Sequence, residues 1–218
     1  MRYHNCSGSA FPPGFTFWPT YFSIAEQRTL LAASLYKLDM LETRHMRRRR
    51  NIFWNSKLGR ENHLEVDPLQ ELFAPDSLYE FQEGHYDGVI RHFRETHLSS
   101  WPNERFDGLQ SILRRLHSLC PSQNLQTHLL HLSTHGHIDF HVDNIDASGS
   151  WILAVSLGDE RRLQMKEAKS GVEFHLDLPS GSVYLQRDEV RYNYLHAIRN
   201  STKSHMGQRL SVMIRVSS

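Results

Sequence analysis

The stretch His137-Ile138-Asp139-Phe140-His141-Val142-Asp143 decides the fold and the chemistry that we predict for this chain. A His and an Asp two residues apart on a β-strand point to the same face, so both can reach one metal ion. With one distant histidine they form a set of two imidazoles and one carboxylate, which leaves open positions on a non-haem Fe(II) ion. The stretch therefore predicts a metal centre on a strand.

The His-x-Asp spacing is not specific by itself, because 15 of the 218 residues are histidine. It occurs four times, at His85/Asp87, His137/Asp139, His141/Asp143 and His175/Asp177. The first pair precedes the predicted strands and the last lies on a polar face beside a turn, so we interpret both as surface pairs. The two middle pairs share one face if their strand is regular, and periodicity does not separate them.

Composition restricts the class of protein. The length of 218 residues fits one domain, and Lys plus Arg exceed Asp plus Glu by only one (25 against 24). This balance gives no overall electric field that favours nucleic acid or a membrane surface. No run approaches the roughly 18 apolar residues of a membrane span. Cys6 and Cys120 are too few for a disulfide framework, which favours a reducing compartment.

Residues 23–121 are predicted to form helical support and a candidate lid. Ser23 and Glu26 fit a capping box at the start of a helix that continues to about residue 41. A second helix is predicted over residues 103–119, where apolar residues recur at helical spacing before Pro121.

Between these two helices lie a basic run and a long segment of little periodicity. The run Arg44–Arg50 is interpreted as a solvated face, with phosphate binding on RNA or DNA as the alternative. Residues 51–84 are interpreted as a long loop or lid. Aromatic residues in and just after this segment, Trp54, Tyr79, Phe81 and Tyr86, leave open the stacking of a nucleobase, against the simpler role of packing the segment down.

The chain after residue 121 has the pattern of short strands separated by turn residues. Candidate strands cover residues 126–132, 137–141, 151–157, 161–166, 172–178, 182–186, 191–196 and 209–216. Eight such strands predict an α+β, mainly β fold, a double-stranded β-helix (jelly roll) braced by N-terminal helices. We expect one domain over residues 1–218, with an N-terminal lead at 1–22 and a jelly-roll core at 122–218.

Several features downstream of Asp143 occur in a characteristic order. They are a strand ending Ser156-Leu157-Gly158, then Tyr184, His196 and the segment Arg209-Leu210-Ser211-Val212-Met213-Ile214-Arg215. Together with His141-Val142-Asp143 this set resembles the AlkB family of Fe(II)- and 2-oxoglutarate-dependent dioxygenases. The resemblance covers residues 22–215 and selects His141/Asp143 among the four pairs.

The resemblance implies cofactors and site residues. It implies Fe(II) with His141, Asp143 and His196 as ligands and catalytic residues, and 2-oxoglutarate and O2 as co-substrates. It places 2-oxoglutarate at Tyr184, Arg209, Leu210, Ser211 and Arg215. Strand parity agrees, because Arg209, Ser211 and Arg215 share one face while residue 210 and its even-numbered neighbours pack behind. Two inward arginines would be costly without an anion, and the 2-oxoglutarate dianion supplies one.

The implied reaction is hydroxylation of a C–H bond coupled to decarboxylation of 2-oxoglutarate to succinate. The alternative is a non-catalytic jelly-roll module that binds metal or 2-oxoglutarate, or an interaction protein that acts through the basic run. The substrate stays open between a protein, a metabolite and N-methylated RNA or DNA. We expect a monomer without a membrane partner.

The resemblance narrows to the mitochondrial branch of the family. The segments that carry it are Phe93-Arg94-Glu95-Thr96 with Trp101, Gly136 before His141, Ser182-Val183-Tyr184-Leu185, and Arg191-Tyr192 before His196. Residues 1–20 have no recognisable presequence, so the mitochondrial location is implied by resemblance alone, and the cytoplasm and nucleus stay open.

Overall fold

The computed structural model of the chain describes residues 11–57, 69–144, 149–201 and 207–216. The strands are β1 Phe15–Trp18, β2 Gln82–Gly84, β3 Ile90–Leu98, β4 Leu125–His141, β5 Trp151–Gly158, β6 Arg161–Glu167, β7 Glu173–Leu178, β8 Val183–Arg187, β9 Tyr194–Asn200 and β10 Arg209–Val216. The helices are α1 Ile24–Asp39, α2 Arg44–Lys57, α3 Leu109–His117 and α4 Asp188–Asn193, with short 3-10 turns at Gln70–Leu72 and Asp76–Leu78.

The 17-residue strand β4 belongs to two sheets. Residues 125–132 of β4 pair with β10, which continues through β5 and β8 to β1, while β3 and β2 lie on the other side. Residues 138–141 pair with β9, which continues through β6 to β7. All these pairings are antiparallel. This arrangement confirms the predicted double-stranded β-helix.

Gly136 marks the bend of β4 between the two sheets. A Cβ atom at this position would lie 2.7 Å from the carbonyl oxygen of His92 and 2.9 Å from the backbone nitrogen of Ser133. Both contacts are with backbone, which has little freedom to move away, so only glycine fits here. The sequence predicted two separate strands in this region, whereas the chain forms one bent strand.

Two apolar clusters hold the layers together. One lies between the sheets and contains side chains from both, including Leu132, Tyr184, Leu163 and Ile198. The other packs α1 and α3 against the outer face of the larger sheet, with the even-numbered residues Leu210, Val212 and Ile214 of β10 among its members. The helices therefore brace the outside of the larger sheet, as predicted.

The predicted start of the first helix is observed at α1, whereas α3 begins later than predicted. The Ser23 hydroxyl accepts a hydrogen bond from the Glu26 backbone, and the Glu26 carboxylate accepts one from the Ser23 backbone, which completes the capping box. Helix α3 begins only at Leu109, not near residue 103, because Gly108 adopts a left-handed φ of +77° that a helix cannot continue.

The basic run forms the first half of α2, and the interpretation as a solvated face is wrong for two of its residues, Met46 and Arg50, which are buried. Arg44, Arg48 and Arg49 are exposed, but Arg50 is 2% exposed. Its guanidinium pairs with Asp39 and Glu42 at the end of α1 and donates a hydrogen bond to the Leu78 carbonyl. Arg50 therefore anchors α2 to the rest of the fold.

The predicted bounds of the candidate lid and the description of the N-terminal lead need correction. Residues 51–57 continue α2 instead of starting a loop, and residues 58–68 of the candidate lid lie outside the described residues. The lead at residues 1–22 contributes β1, which pairs with β8. Strand β3 was not predicted at all. Among the described residues, no helix has the length and apolar character needed to cross a membrane.

Candidate metal centre and 2-oxoglutarate cavity

Three predicted ligands meet where the two sheets join. His141 on β4 is the direct register partner of His196 on β9, and Asp143 follows two residues after His141. His141 Nε2 lies 3.3 Å from one carboxylate oxygen of Asp143, and His196 Nε2 lies 3.5 Å from the other. One ligand atom from each residue lies within 4.8 Å of the other two. The set could hold a single metal ion with open positions on one side.

A hydrogen bond fixes the ring of His141. Its Nδ1 lies 2.9 Å from the Asp139 carbonyl oxygen. A carbonyl only accepts, so Nδ1 carries the proton and the Nε2 lone pair of the neutral ring points at Asp143. Two acceptors that face each other at 3.3 Å require a shared cation, either a proton or a metal. Backbone support of this kind is typical of metal-binding histidines.

The electrostatics of the triad fit metal binding. Burial lowers the pKa of His196 to about 4, so this ring is neutral at neutral pH. Burial alone would raise the pKa of Asp143, but the neighbouring His196 and His141 outweigh it and lower the pKa. Burial also opposes protonation of His141, yet Asp143 raises its pKa overall. A neutral imidazole and an ionised carboxylate are the forms that bind metal.

A β-bulge separates the two middle His-x-Asp pairs. Between the partners Ile138↔Ile198 and His141↔His196, β4 has one residue more than β9. Ile138 and His141 both line the cavity although they are three residues apart. Asp139 pairs with Arg199 instead. The expectation that both pairs share a face is wrong, because the strand is not regular.

Arg191 supports the carboxylate ligand. It is buried on α4, directly before β9, and its guanidinium donates hydrogen bonds to the carbonyl oxygens of Asp143 (3.2 Å) and Asn144 (3.4 Å). The sequence marked Arg191 only as a point of family resemblance. Its position gives it a physical role in holding the end of β4.

Arg209 lies at the first residue of β10 and is 1% exposed. Its Nε donates a hydrogen bond to the Ser156 hydroxyl at 2.9 Å. Within the four described segments, no carboxylate forms an ion pair with it. Burial lowers its pKa to about 10, which still leaves it cationic at neutral pH. A buried cation that lacks an anion is costly, so a bound carboxylate would relieve a real electrostatic deficit.

The other predicted 2-oxoglutarate residues fall on both faces of β10. Ser211 and Arg215 line the same cavity as Arg209, together with Tyr184 of β8. Burial raises the pKa of Tyr184 to about 12, so its hydroxyl stays protonated and can donate a hydrogen bond. Leu210 does not line this cavity. It is fully buried in the cluster under the helices, because alternate residues of a strand face opposite ways.

The cavity has a volume of about 390 Å³ and contains the triad, Tyr184 and the polar face of β10. His85 and Asp87 line this cavity on the turn between β2 and β3. Asp87 is exposed, as the surface interpretation predicts, whereas His85 is half-buried. Glu95, His97 and His128 also line it and were missed as site residues. Recognition of β3 as a strand beside β4 would have placed them there.

Comparisons with known proteins assign the chain to a family. A family model described as the 2OG-Fe(II) oxygenase superfamily matches residues 14–215. The chain belongs to the 2OG-Fe(II) oxygenase superfamily. Membership of this superfamily implies Fe(II), 2-oxoglutarate and O2.

Two mammalian proteins are similar to this member of the superfamily. The chain is 34% identical over 134 residues to alpha-ketoglutarate-dependent dioxygenase alkB homolog 7, mitochondrial, of Bos taurus, which covers 59% of each protein. It is 32% identical over 147 residues to the protein of the same name in Mus musculus, which covers 62% of this chain and 65% of the relative. The matches thus span about three fifths of the length of these curated relatives.

A solved structure shares the fold. The structure of OsALKBH1 superposes with a TM-score of 0.54 and 15% identity, and the match covers 94% of this chain and 99% of that one. This likeness extends the agreement on the jelly-roll architecture to nearly the whole oxygenase chain.

Proposed function

We propose that this chain is an Fe(II)- and 2-oxoglutarate-dependent dioxygenase that hydroxylates a C–H bond of its substrate. One observation carries the proposal. Arg209 is a buried arginine that has no carboxylate partner among the described residues, and it lines the same cavity as a set of two histidines and one aspartate. The cavity thus offers one place for a metal and a separate place for a distal carboxylate.

The proposed iron ligands are His141, Asp143 and His196. The support for this set is the fixed tautomer of His141, the ionised state of Asp143 and the neutral state of His196. Arg191 would keep the Asp143 backbone in place when the metal binds. Iron held in this way would supply the activation of O2 that is coupled to decarboxylation of 2-oxoglutarate.

The proposed 2-oxoglutarate site lies along the cavity face of β10. Arg209 would pair with the distal carboxylate through its planar fork, with the Ser156 hydroxyl fixing the guanidinium from behind. Tyr184 would donate its hydroxyl hydrogen to the same carboxylate, and Ser211 lies one row along the strand. Arg215, near the outer end of β10, would face the end of the ligand that chelates iron. We assign no contact to the Leu210 side chain.

The direct test of this function is O2 uptake by the purified chain with Fe(II), 2-oxoglutarate and ascorbate. We expect uptake that needs both iron and 2-oxoglutarate, that His141→Ala abolishes and that His137→Ala retains. His137 is the matched control because it precedes the bulge on the same strand. Tight 2-oxoglutarate binding without any O2 uptake, with or without candidate substrates, would favour a non-catalytic binding module instead.

We further infer a mitochondrial location and a single-domain monomer. The location is supported by the names of the two mammalian relatives, which describe them as mitochondrial, and the domain by a family match that runs from residue 14 to 215. Imaging of the tagged chain with a mitochondrial marker tests the first. One cooperative unfolding transition and the sedimentation mass of a single chain test the second. A nuclear or cytoplasmic signal, or a dimer mass, would contradict these inferences.

The substrate class is open between a protein, a metabolite and N-methylated RNA or DNA. Decarboxylation of 2-oxoglutarate that rises when one of these is added, with hydroxylated or demethylated product found by mass spectrometry, would decide between them.

A further inference from the structure

The N-terminal lead brings aromatic rings against the barrel beside the cavity. In the order of the strands, β1 lies at one end and β7 at the other, and within the described segments no backbone pairing joins them. Side chains bridge this gap instead. Phe15 of β1 packs against Phe174 of β7 with ring centroids 5.5 Å apart, and Phe11 contacts both rings, at 5.2 and 5.7 Å. We call Phe11, Phe15 and Phe174 the aromatic clasp.

The aromatic clasp reaches the cavity through Tyr184. The rings of Phe15 and Tyr184 are stacked, with centroids 5.9 Å apart and planes inclined by 16°. Both residues are buried, so the contact excludes solvent. Tyr184 lines the cavity, whereas the three members of the clasp do not. Phe15 therefore supports a residue of the proposed 2-oxoglutarate site without facing the space that the ligand would fill.

The backbone fixes the position of Phe15. Gly14 has a φ of +92°, and a Cβ atom there would lie 2.5 Å from the carbonyl oxygen of Arg187, so only glycine allows this close approach. The Arg187 backbone nitrogen donates a hydrogen bond to the Gly14 carbonyl at 2.9 Å. Phe17 is the register partner of Tyr184, which makes Phe15 its diagonal neighbour across the ladder. The start of β1 is thus held where the Phe15 ring meets the Tyr184 ring.

The orientation of Tyr184 depends on packing. Within the described parts of the chain, its hydroxyl makes no hydrogen bond that would hold the ring. On β5 its register partner is Ala154, whose methyl group is too small to cover a phenol ring. The ring stacked on Tyr184 comes from Phe15. Rotation about the Cα–Cβ bond of Tyr184 would move the hydroxyl, and the stacked ring restricts this rotation.

We propose that Phe15 is a positioning residue for 2-oxoglutarate, which acts through Tyr184 by holding its hydroxyl toward the distal carboxylate, and this inference rests on the proposed dioxygenase function. The hydroxyl is close to the cation that would bind the same carboxylate, because the charge of Arg209 opposes the rise in the pKa of Tyr184. The N-terminal lead thus contributes to the co-substrate site without contacting the co-substrate.

The test is a double-mutant cycle on the affinity for 2-oxoglutarate, measured by calorimetry on protein loaded with Mn(II). We expect Phe15→Leu to weaken 2-oxoglutarate binding by about fivefold or more, because a hydrogen bond to a charged group is partly lost. The affinity for Mn(II) should not change. In the Tyr184→Phe background there is no hydroxyl to position, so Phe15→Leu should weaken 2-oxoglutarate binding by less than about twofold.

Two further variants separate positioning from packing. Phe17→Leu is the matched control, because Phe17 lies on the same strand but its ring contacts Phe11 and, among the described rings, not Tyr184. We expect it to change 2-oxoglutarate affinity by less than about twofold. Phe15→Met nearly conserves the side-chain volume and so preserves the fold if Phe15→Leu does not. Its flexible thioether does not restrict the Tyr184 ring, so it should show the same dependence on the Tyr184 hydroxyl.

The possible outcomes distinguish this role from the proposed function. Equal weakening by the Phe15 variants in both backgrounds, no weakening at all, or an equal effect of Phe17→Leu would overturn the positioning role alone. Unchanged 2-oxoglutarate affinity in Tyr184→Phe would do the same, since Phe15 acts through that hydroxyl. Failure of 2-oxoglutarate to bind the wild-type protein would overturn the dioxygenase proposal and the role of Phe15 with it.

Discussion

His141 and His196 are register partners across β4 and β9, and their rings lie 4.2 Å apart. This pairing joins the two sheets at the point where the metal ligands meet. Asp143 completes the set from the segment that follows β4, which Arg191 holds through two backbone carbonyls. The geometry of the proposed metal centre therefore follows directly from how the sheets are paired.

Replacing Asp143 by Ala should abolish metal binding. The two imidazoles alone lack the negative charge that completes the site, so we expect the affinity for Mn(II), used as a redox-stable substitute for Fe(II), to fall by roughly a hundredfold or more. Equilibrium dialysis measures this affinity. Asp139→Ala is the matched control, because Asp139 pairs with Arg199 and only its backbone contacts His141. Equal losses of metal affinity in the two variants would contradict the choice of His141/Asp143 over His137/Asp139 as the metal-binding pair.

Replacing Arg209 by Met should stabilise the protein in the absence of ligand. It removes a buried charge that has no carboxylate partner within the described segments, which we expect to raise the free energy of unfolding by about 1 to 3 kcal/mol. The stabilisation that 2-oxoglutarate confers on the wild type should disappear in the variant. Denaturant unfolding with and without 2-oxoglutarate measures both effects.

The control for this experiment is Arg161→Met. Arg161 is also fully buried, but its guanidinium donates to the carbonyls of Ser133 and Gly207 and lies 3.6 Å from Asp159. Its loss removes these contacts from the buried interior and should destabilise the protein by about 3 kcal/mol. If Arg209→Met destabilises the ligand-free protein as strongly, the charge of Arg209 is compensated within the fold.

Two neighbouring arginines of α2 should differ in their effect on stability. Arg50→Met leaves Asp39 and Glu42 with less positive charge and should lower the free energy of unfolding by about 3 to 5 kcal/mol. Arg48→Met removes an exposed side chain and should change it by less than about 0.5 kcal/mol. Chemical denaturation of both variants provides the comparison. If both variants change the free energy of unfolding by less than about 0.5 kcal/mol, Arg50 is no more important for stability than the exposed residues of the run.

The buried ring of His131 should make stability depend on pH. Its Nδ1 accepts from Arg94 Nε and its Nε2 therefore donates to Gln208, so the ring is neutral. Burial and the charge of Arg94 lower its pKa well below 6.5. Below pH 6.5, His131 of the unfolded chain binds a proton, whereas the buried ring of the folded protein stays neutral. Stability is therefore complete above this pH and falls by up to about 1.4 kcal/mol per unit below it.

His131→Gln removes this titration while it keeps one donor and one acceptor. Between pH 7 and 5.5, we expect the variant to lose about 1 kcal/mol less stability than the wild type. The comparison is made on metal-free protein, so that His196 contributes equally to both. Identical pH slopes would show that His131 is protonated in the folded state.

Local sequence rules predicted the parts of the site that depend on regular strands. The alternation at Arg209, Ser211 and Arg215 placed these residues on the cavity face and the residues between them in the core, as observed. The same alternation placed Leu210 in the core, and only the family resemblance assigned it to 2-oxoglutarate. The capping box of α1 was predicted for the same reason, since it depends on neighbouring residues.

Features that depend on tertiary structure were not predictable in this way. The bulge after Ile138 is visible only through the pairing with β9, so periodicity put His137 and His141 on one face. In the sequence, Arg50 cannot be distinguished from its exposed neighbours, because its burial depends on Asp39 at the end of α1 and on Glu42 just after it. Glu95 became a site residue only once β3 was placed beside β4.

The most direct test of the central claim is the isotopic composition of succinate formed under ¹⁸O2. Purified protein is incubated with Fe(II), ascorbate and 2-oxoglutarate, and the succinate is analysed by mass spectrometry. We predict succinate with one ¹⁸O atom from the wild type and none from Asp143→Ala, because decarboxylation needs iron held by the triad. Unlabelled succinate, or labelled succinate formed equally by Asp143→Ala, would contradict the assignment of this cavity as a 2-oxoglutarate-dependent dioxygenase centre.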